Sequence, residues 1–326
     1  MRIKFDWFLW GMAGVVLLAW VFPAPGAAGG WLHPEVLNKV GISLIFFLHG
    51  AALPLAALKA GTLKWRVHLV IQGCTFLLFP LLGLGIWAIT SGWVSEELRL
   101  GYFYLCVLPS TVSSSVAFTA AARGNVSVAV FNASLSSLIG IVLTPVWIGA
   151  LLQSGDYQLP LADVILDLVK WLLAPFALGQ FSRPLIGAFI GRHKARISYV
   201  DRGTILLLVY TSFADSFQNN LWEQHGWSTV VATVLASTVI FTAVLWIVRA
   251  ICRALHFSTP EEIAAVFCGS KKTLASGVPM AHLIFAGHPA IGVILLPIMI
   301  YHSVQLLICG WLAGRWGGRR ADRHPE

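Results

Sequence analysis

Two adjacent lysines, Lys271 and Lys272, stand in the middle of an apolar stretch and carry the most chemistry in this chain. An ammonium in such a place can hold an anion or exchange a proton. Around the pair, Phe267-Cys-Gly-Ser-Lys-Lys-Thr-Leu-Ala-Ser-Gly-Val-Pro-Met280 gathers Ser270, Thr273, two glycines and a proline. Upstream, Thr259-Pro260-Glu261-Glu262 supplies an N-cap, a proline at the first helical position and acids against the positive helix end. Lys271 follows Pro260 by eleven residues, about 16 Å along a helix. That is about half of a hydrocarbon core of roughly 30 Å. A lysine at this depth does not easily snorkel to the interface, so it needs a partner or a polar cavity. Gly269, Gly277 and Pro279 loosen the helix around it. The stretch predicts an interrupted membrane helix with polar groups at the midplane.

The elements that must position these residues are membrane spans. At 326 residues, 57% hydrophobic and 11% charged, the chain is too apolar for an ordinary soluble fold. The reading is an all-α polytopic membrane protein with ten transmembrane helices, near 7–23, 38–58, 66–90, 100–122, 126–152, 161–180, 202–218, 227–251, 261–286 and 289–314. A positive start and apolar run before Pro23-Ala-Pro-Gly-Ala-Ala28 also fit a cleaved signal. Trp7, Trp10 and Trp20, with an even span count, favour its retention as the first span. With the N-terminus inside, seventeen lysines and arginines fall on inside segments and two, Lys39 and Arg99, on outside loops. This split predicts a multi-pass protein of the plasma (inner) membrane with both termini cytoplasmic. It also accounts for the net charge of +8 without nucleic acid as a partner. Five cysteines without C-x-x-C spacing imply neither a disulfide framework nor a zinc site.

The midpoint falls at Ser154-Gly-Asp-Tyr157. It divides the chain into residues 1–155 and 156–326, five spans each, the second half entering from the opposite face. Equal halves of odd span number suggest an inverted repeat. Span four carries Pro109-Ser-Thr-Val-Ser113-Ser114-Ser115 and turns at Arg123-Gly-Asn125 into span five. Span nine carries the lysines and turns at Gly287-His-Pro289 into span ten. Paired interruptions of this kind point to a transporter's binding site. Asp215 on span seven is either a partner for Lys271 or Lys272 or a residue of the last turn near the outer surface. Asp167 and Lys170, three apart, are expected to pair. His302 and Gln305 share a face of span ten beside the expected crossing.

At these residues the chain resembles the bile acid:sodium symporter family over nearly its full length. The resemblance is carried by Ala122-Arg-Gly-Asn-Val126, the serine-rich half-helix before it, Leu143-Thr-Pro145, the lysine stretch and Tyr301-His302. It implies ten helices in two inverted five-helix repeats, panel and core domains, and broken helices four and nine that cross. The Gly-Ser-Lys-Lys-Thr-Leu-Ala-Ser-Gly form is similar to a divergent, symporter-like branch, some of whose members are linked to calcium regulation. By the same resemblance, the serine–asparagine pair of sodium-coupled members matches Ser114-Ser115. Their helix-five hydroxyls match Ala129 and Ala133, with Asn132 and Ser136 nearby. Their ninth-helix glutamate matches Ser270, and a third-helix glutamine matches Thr75, with Gln72 nearly a turn earlier. Losing that carboxylate while gaining an ammonium is hostile to sodium, which needs oxygen ligands.

The combined expectation is a secondary transporter of a small or amphipathic organic anion, not an enzyme and without cofactor or metal. It would work in the lipid bilayer without sodium, either coupled to protons with Asp215 or His302 as relays, or as a facilitative carrier or anion exchanger. Lys271 is the lysine expected to supply the fixed charge. The alternative is a non-transporting regulatory membrane protein of the same fold, its lysines locked in structural contacts.

Overall fold

The structure is a computed structural model describing residues 7–52, 64–152, 161–220 and 226–321. The expected midpoint at Ser154–Tyr157, and with it the boundary between residues 155 and 156, lies outside the described residues. So do four of the seventeen inside-segment charges, Arg2, Lys4, Lys59 and Arg323.

The described residues form helices and no strand. In chain order these are α1 (Trp7–Val21), α2 (Pro34–Ala52), α3 (Trp65–Ile89), α4 (Glu96–Val107), α5 (Ser113–Ala121) and α6 (Val126–Leu152). There follow α7 (161–192), α8 (Lys194–Gln218), α9 (Gly226–Ala254), α10 (Thr259–Gly269), α11 (Leu274–Ile284) and α12 (Ile291–Ala321). Six of them, α2, α3, α6, α7, α9 and α12, are long and apolar enough to cross a membrane.

Two breaks interrupt what would otherwise be single spans. α4 stops because Leu108, ahead of Pro109, is extended at ψ 153°, the conformation that a following proline enforces. α10 begins with a capping box one residue earlier than expected, where Ser258 donates from its backbone N–H to Glu261 at 3.0 Å. It ends at Gly269, and the chain is extended at Thr273 before α11 starts.

The expected basic connection from Phe181 to Arg202 is helical instead. α7 continues to Arg192 and α8 starts at Lys194. A helix can project beyond a bilayer with its charges in water, so a run of arginines and lysines need not end it.

α3 and α7 each contain a π-turn, at Cys74–Leu78 and Val169–Leu173. Each is followed by a proline, Pro80 and Pro175, at the same spacing. A proline has no N–H to give to the carbonyl behind it, and one wide turn is the local accommodation.

α1, α2, α7 and α8 pack on one another, as do α3–α6 with α9–α12; α8 meets α11 and α12 between the two groups. α2 and α7 approach most closely. A Cβ on Gly50 would strike the Phe176 carbonyl, and one on Gly179 would strike the Phe47 carbonyl. At one helical end, Arg249 and Lys64 pin the start of α10 through Glu262 and Glu261 at 2.9 and 2.8 Å. All five cysteines are buried.

Candidate substrate and coupling site

The two breaks lie against each other. Thr273 donates its backbone N–H to the Pro109 carbonyl at 3.0 Å. Ser110 and Ser115 donate their hydroxyls to the carbonyls of Cys268 and Phe267, at 2.5 and 2.8 Å. Those carbonyls close α10 and have no partner of their own within the helix. Ser136 of α6 accepts the Ser110 N–H at 2.9 Å. Hydroxyls and carbonyls thus satisfy the backbone groups that each break sets free.

The lysines are both fully buried, and their surroundings differ in sign. Lys272 Nζ donates to three backbone carbonyls: Leu108 at 2.6 Å, Cys106 at 2.7 Å and Thr75 at 2.9 Å. The first two belong to the last turn of α4, the negative end of that helix, where a cation is favoured. The Phe79 ring lies 4.2 Å away and adds a cation–π contact. An ammonium has three N–H groups, so Lys272 is saturated.

Lys271 Nζ donates to Ser114 Oγ at 2.5 Å and lies 4.6 Å from the Phe118 ring. Ser114 sits in the first turn of α5, a helix whose N-terminus has no side-chain cap. This is the positive end of a helix with a second positive charge placed on it, an arrangement that favours an anion. Among the described residues no carboxylate pairs with either lysine.

α12 clamps the second break. Tyr301 donates to the Ser270 carbonyl at 2.8 Å. Gln305 accepts the Lys272 N–H at 2.9 Å and donates to the Lys272 carbonyl at 2.8 Å. The same amide group meets His302 Nδ1 at 2.9 Å. With Gln305 donating, that ring nitrogen is an acceptor, so His302 holds the amide the right way round.

Several expected residues have other duties. Ser113 is exposed and does not meet the second break; three serines in a row on a helix point in three directions, and only Ser114 and Ser115 face inwards. Ser270 turns its hydroxyl back to the Val266 carbonyl at 2.7 Å, and Thr273 caps α11 by accepting from the Ser276 N–H at 3.5 Å. Thr75 contributes its carbonyl, its hydroxyl being taken by Ile71 O at 2.8 Å. Gln72 and Asn132 form a separate cluster, with Gln72 Nε2 donating to Asn132 Oδ1 at 3.1 Å and Asn132 Nδ2 meeting His68 at 2.7 Å.

Asp215 is not a partner of the lysines. It lies at the far end of α8 and accepts the Ala28 N–H at 2.6 Å, fastening the loop after α1. Nor do Asp167 and Lys170 pair, since the Lys170 ammonium lies over the Trp171 ring at 4.9 Å. Sequence reasoning misses Ser110, Pro80 and Tyr104, whose hydroxyl reaches the Gly277 carbonyl at 2.6 Å. His282 joins α11 to Ser212 of α8 at 2.8 Å and to Asn38 of α2 at 3.4 Å. A phenol and a proline inside apolar spans are the signals that could have found Tyr104 and Pro80.

An all-helical chain with apolar spans, two facing helix breaks and buried cations between them has the make-up of an integral membrane transporter. The chain belongs to the SBF-like CPA transporter family, whose description matches residues 6–317. An uncharacterised protein of Pseudomonas aeruginosa is 44% identical, covering 97% of this chain and 94% of its own. YfeH of Escherichia coli, provisionally named a symporter, is 41% identical, with 95% and 92% covered. Sodium/bile acid cotransporter 7 of Danio rerio is 30% identical, with 96% of each chain covered.

Proposed function

We propose that this chain carries a small or amphipathic organic anion by alternating access, without the sodium sites of its coupled relatives. The supporting observation is the placement of the two ammonium groups. Lys271 bonds Ser114, and Lys272 bonds the carbonyl of Thr75, two positions matched by resemblance to sodium ligands. Fixed positive charge thus occupies the region where a mobile cation would act. Lys272 is the structural member of the pair. Lys271, on the uncapped end of α5, is the member that meets the anion, taking up a proton as the anion binds and releasing one as it leaves.

In this reading α4 with α5 and α10 with α11 are the fourth and ninth of ten spans in two inverted repeats. The group of α1, α2, α7 and α8 is the panel and the other group is the core. His302 is the remaining candidate for a proton relay, given that Asp215 is spent on the outer loop. The loop charges support cytoplasmic termini for a protein of the plasma (inner) membrane.

One observation favours the other reading, a regulatory protein that does not transport: both lysine side chains are fully buried. The deciding experiment has two stages. Purified protein is screened by thermal shift against carboxylates and sulfonates, bile acids among them, because a ligand bound only by the folded state raises its apparent stability. A stabilising anion is then used for proteoliposome uptake with sodium replaced by choline, on wild type and Lys271→Ala. Uptake that persists in choline and is lost in Lys271→Ala supports the proposal. Uptake that needs sodium, or that survives Lys271→Ala, refutes it; no stabilising anion and no uptake favours the regulatory reading.

A further inference from the structure

The Lys272 carbonyl cage has an unusual member. The Cys106 and Leu108 carbonyls belong to a helix end and have no helical partner in any case. Thr75 lies inside α3, where a carbonyl is normally taken by the N–H four residues on, which is that of Phe79. Here the Phe79 N–H goes instead to Cys74 O, closing the π-turn. The next wide-turn donor for Thr75 would be residue 80, and residue 80 is proline, with no N–H. The Thr75 carbonyl is therefore left without any donor of its own helix, inside the protein, and the Lys272 ammonium takes it at 2.9 Å.

We propose that Pro80 is a positioning residue for Lys272: it bares the Thr75 carbonyl so that α3, α4 and the second break share one ammonium. The proline and the lysine, 192 positions apart in the chain (272 − 80), are two halves of one pin. Phe79, beside the proline, presents its ring to the same ammonium at 4.2 Å. The pin holds whether or not the chain transports, so it stands apart from the functional reading above. The matching π-turn in α7 shows that the proline alone does not require an ammonium, because the carbonyl of Lys170, the counterpart of Thr75, is given no such partner among the described residues.

The test is the sign of a proline substitution. A proline inside a helix ordinarily destabilises it, so Pro80→Ala on its own would be expected to raise thermal stability. With Lys272 present the opposite is expected. An alanine at this position lets α3 close its regular ladder, Thr75 O is consumed, and the ammonium loses an acceptor, so the apparent Tm falls by several degrees. In a Lys272→Met background the same Pro80→Ala change raises the Tm. A second readout is chemical rescue: n-propylammonium chloride stabilises Lys272→Ala saturably and n-propanol does not. The rescue weakens in the Pro80→Ala, Lys272→Ala double variant. Pro80→Ala having the same sign in both backgrounds would overturn the proposal. If the Lys272 variants do not fold, Pro80→Ala in the native chain still decides: a raised Tm overturns it and a lowered one supports it.

Discussion

Replacing Gln305 by leucine removes a side chain that serves both backbone groups of Lys272. Leucine fills much of the same volume, so the perturbation is chiefly polar. The Lys272 N–H and C=O, bonded at 2.9 and 2.8 Å in the native chain, lose their partners inside a break that no helix can repair. Each such buried group left unsatisfied costs about 1–3 kcal/mol, against roughly 1.5 kcal/mol gained by burying the added apolar surface. At the middle of that range the balance for the two groups is about 2.5 kcal/mol, which at roughly 2 °C per kcal/mol is a fall of about 5 °C in apparent Tm. Tyr301→Phe removes one hydrogen bond to Ser270 O and should cost only about 1 kcal/mol. The assay is thermal unfolding of the purified protein in one detergent, at one scan rate because membrane-protein unfolding is seldom reversible. A Gln305→Leu variant as stable as wild type, or less damaged than Tyr301→Phe, would refute the account of the break as a clamp held by α12.

Gly50→Ala and Gly179→Ala should each destabilise by about 2–3 kcal/mol through overpacking, since each added methyl meets a backbone carbonyl that cannot swing aside. The two sites belong to one helix contact, so the double variant should lose less than the sum, as a double-mutant cycle of Tm values would report. Burial pushes His288, in the loop before α12, below the ordinary histidine range, with Glu97 and Glu96 pulling the other way. The folded chain thus prefers the neutral ring; its contribution is complete above the unfolded value of about 6.5 and is lost as pH falls from there towards the folded value. Acidification from about pH 7 to about pH 5 should therefore lower the Tm of wild type more than that of His288→Asn; equal falls would exclude the effect.

The breaks were legible because their causes are side chains. Pro109 stops α4, and the run from Gly269 to Thr273 gives a helix little reason to continue. The depth of Lys271 could likewise be measured by counting from Pro260. What could not be read was which lysine was spent. The acceptors of Lys272 are backbone carbonyls, which every residue carries, so residue types do not reveal them. The favourable surroundings of that ammonium come from a helix end and a π-turn that exist only once α3 and α4 are packed. Helix ends near Arg192 and Lys194 were misplaced because a run of charge favours water and is indifferent to whether the helix continues. Asp215 was ambiguous for a related reason: its partner is the N–H of Ala28, an alanine that the sequence gives no cause to notice.

The burial of all five thiols gives the native protein a built-in reporter. Cys106 supplies a carbonyl to the cage, and Cys268 lies against Ala129 with its sulfur 3.8 Å from that carbonyl oxygen. In the arrangement seen here, a bulky water-soluble maleimide has no thiol to alkylate. Any rearrangement that brings water to the two breaks would expose sulfur to it, and mass spectrometry would name the cysteine that reacted. The unmodified chain can thus be asked, without a single introduced label, whether and from which side its centre opens.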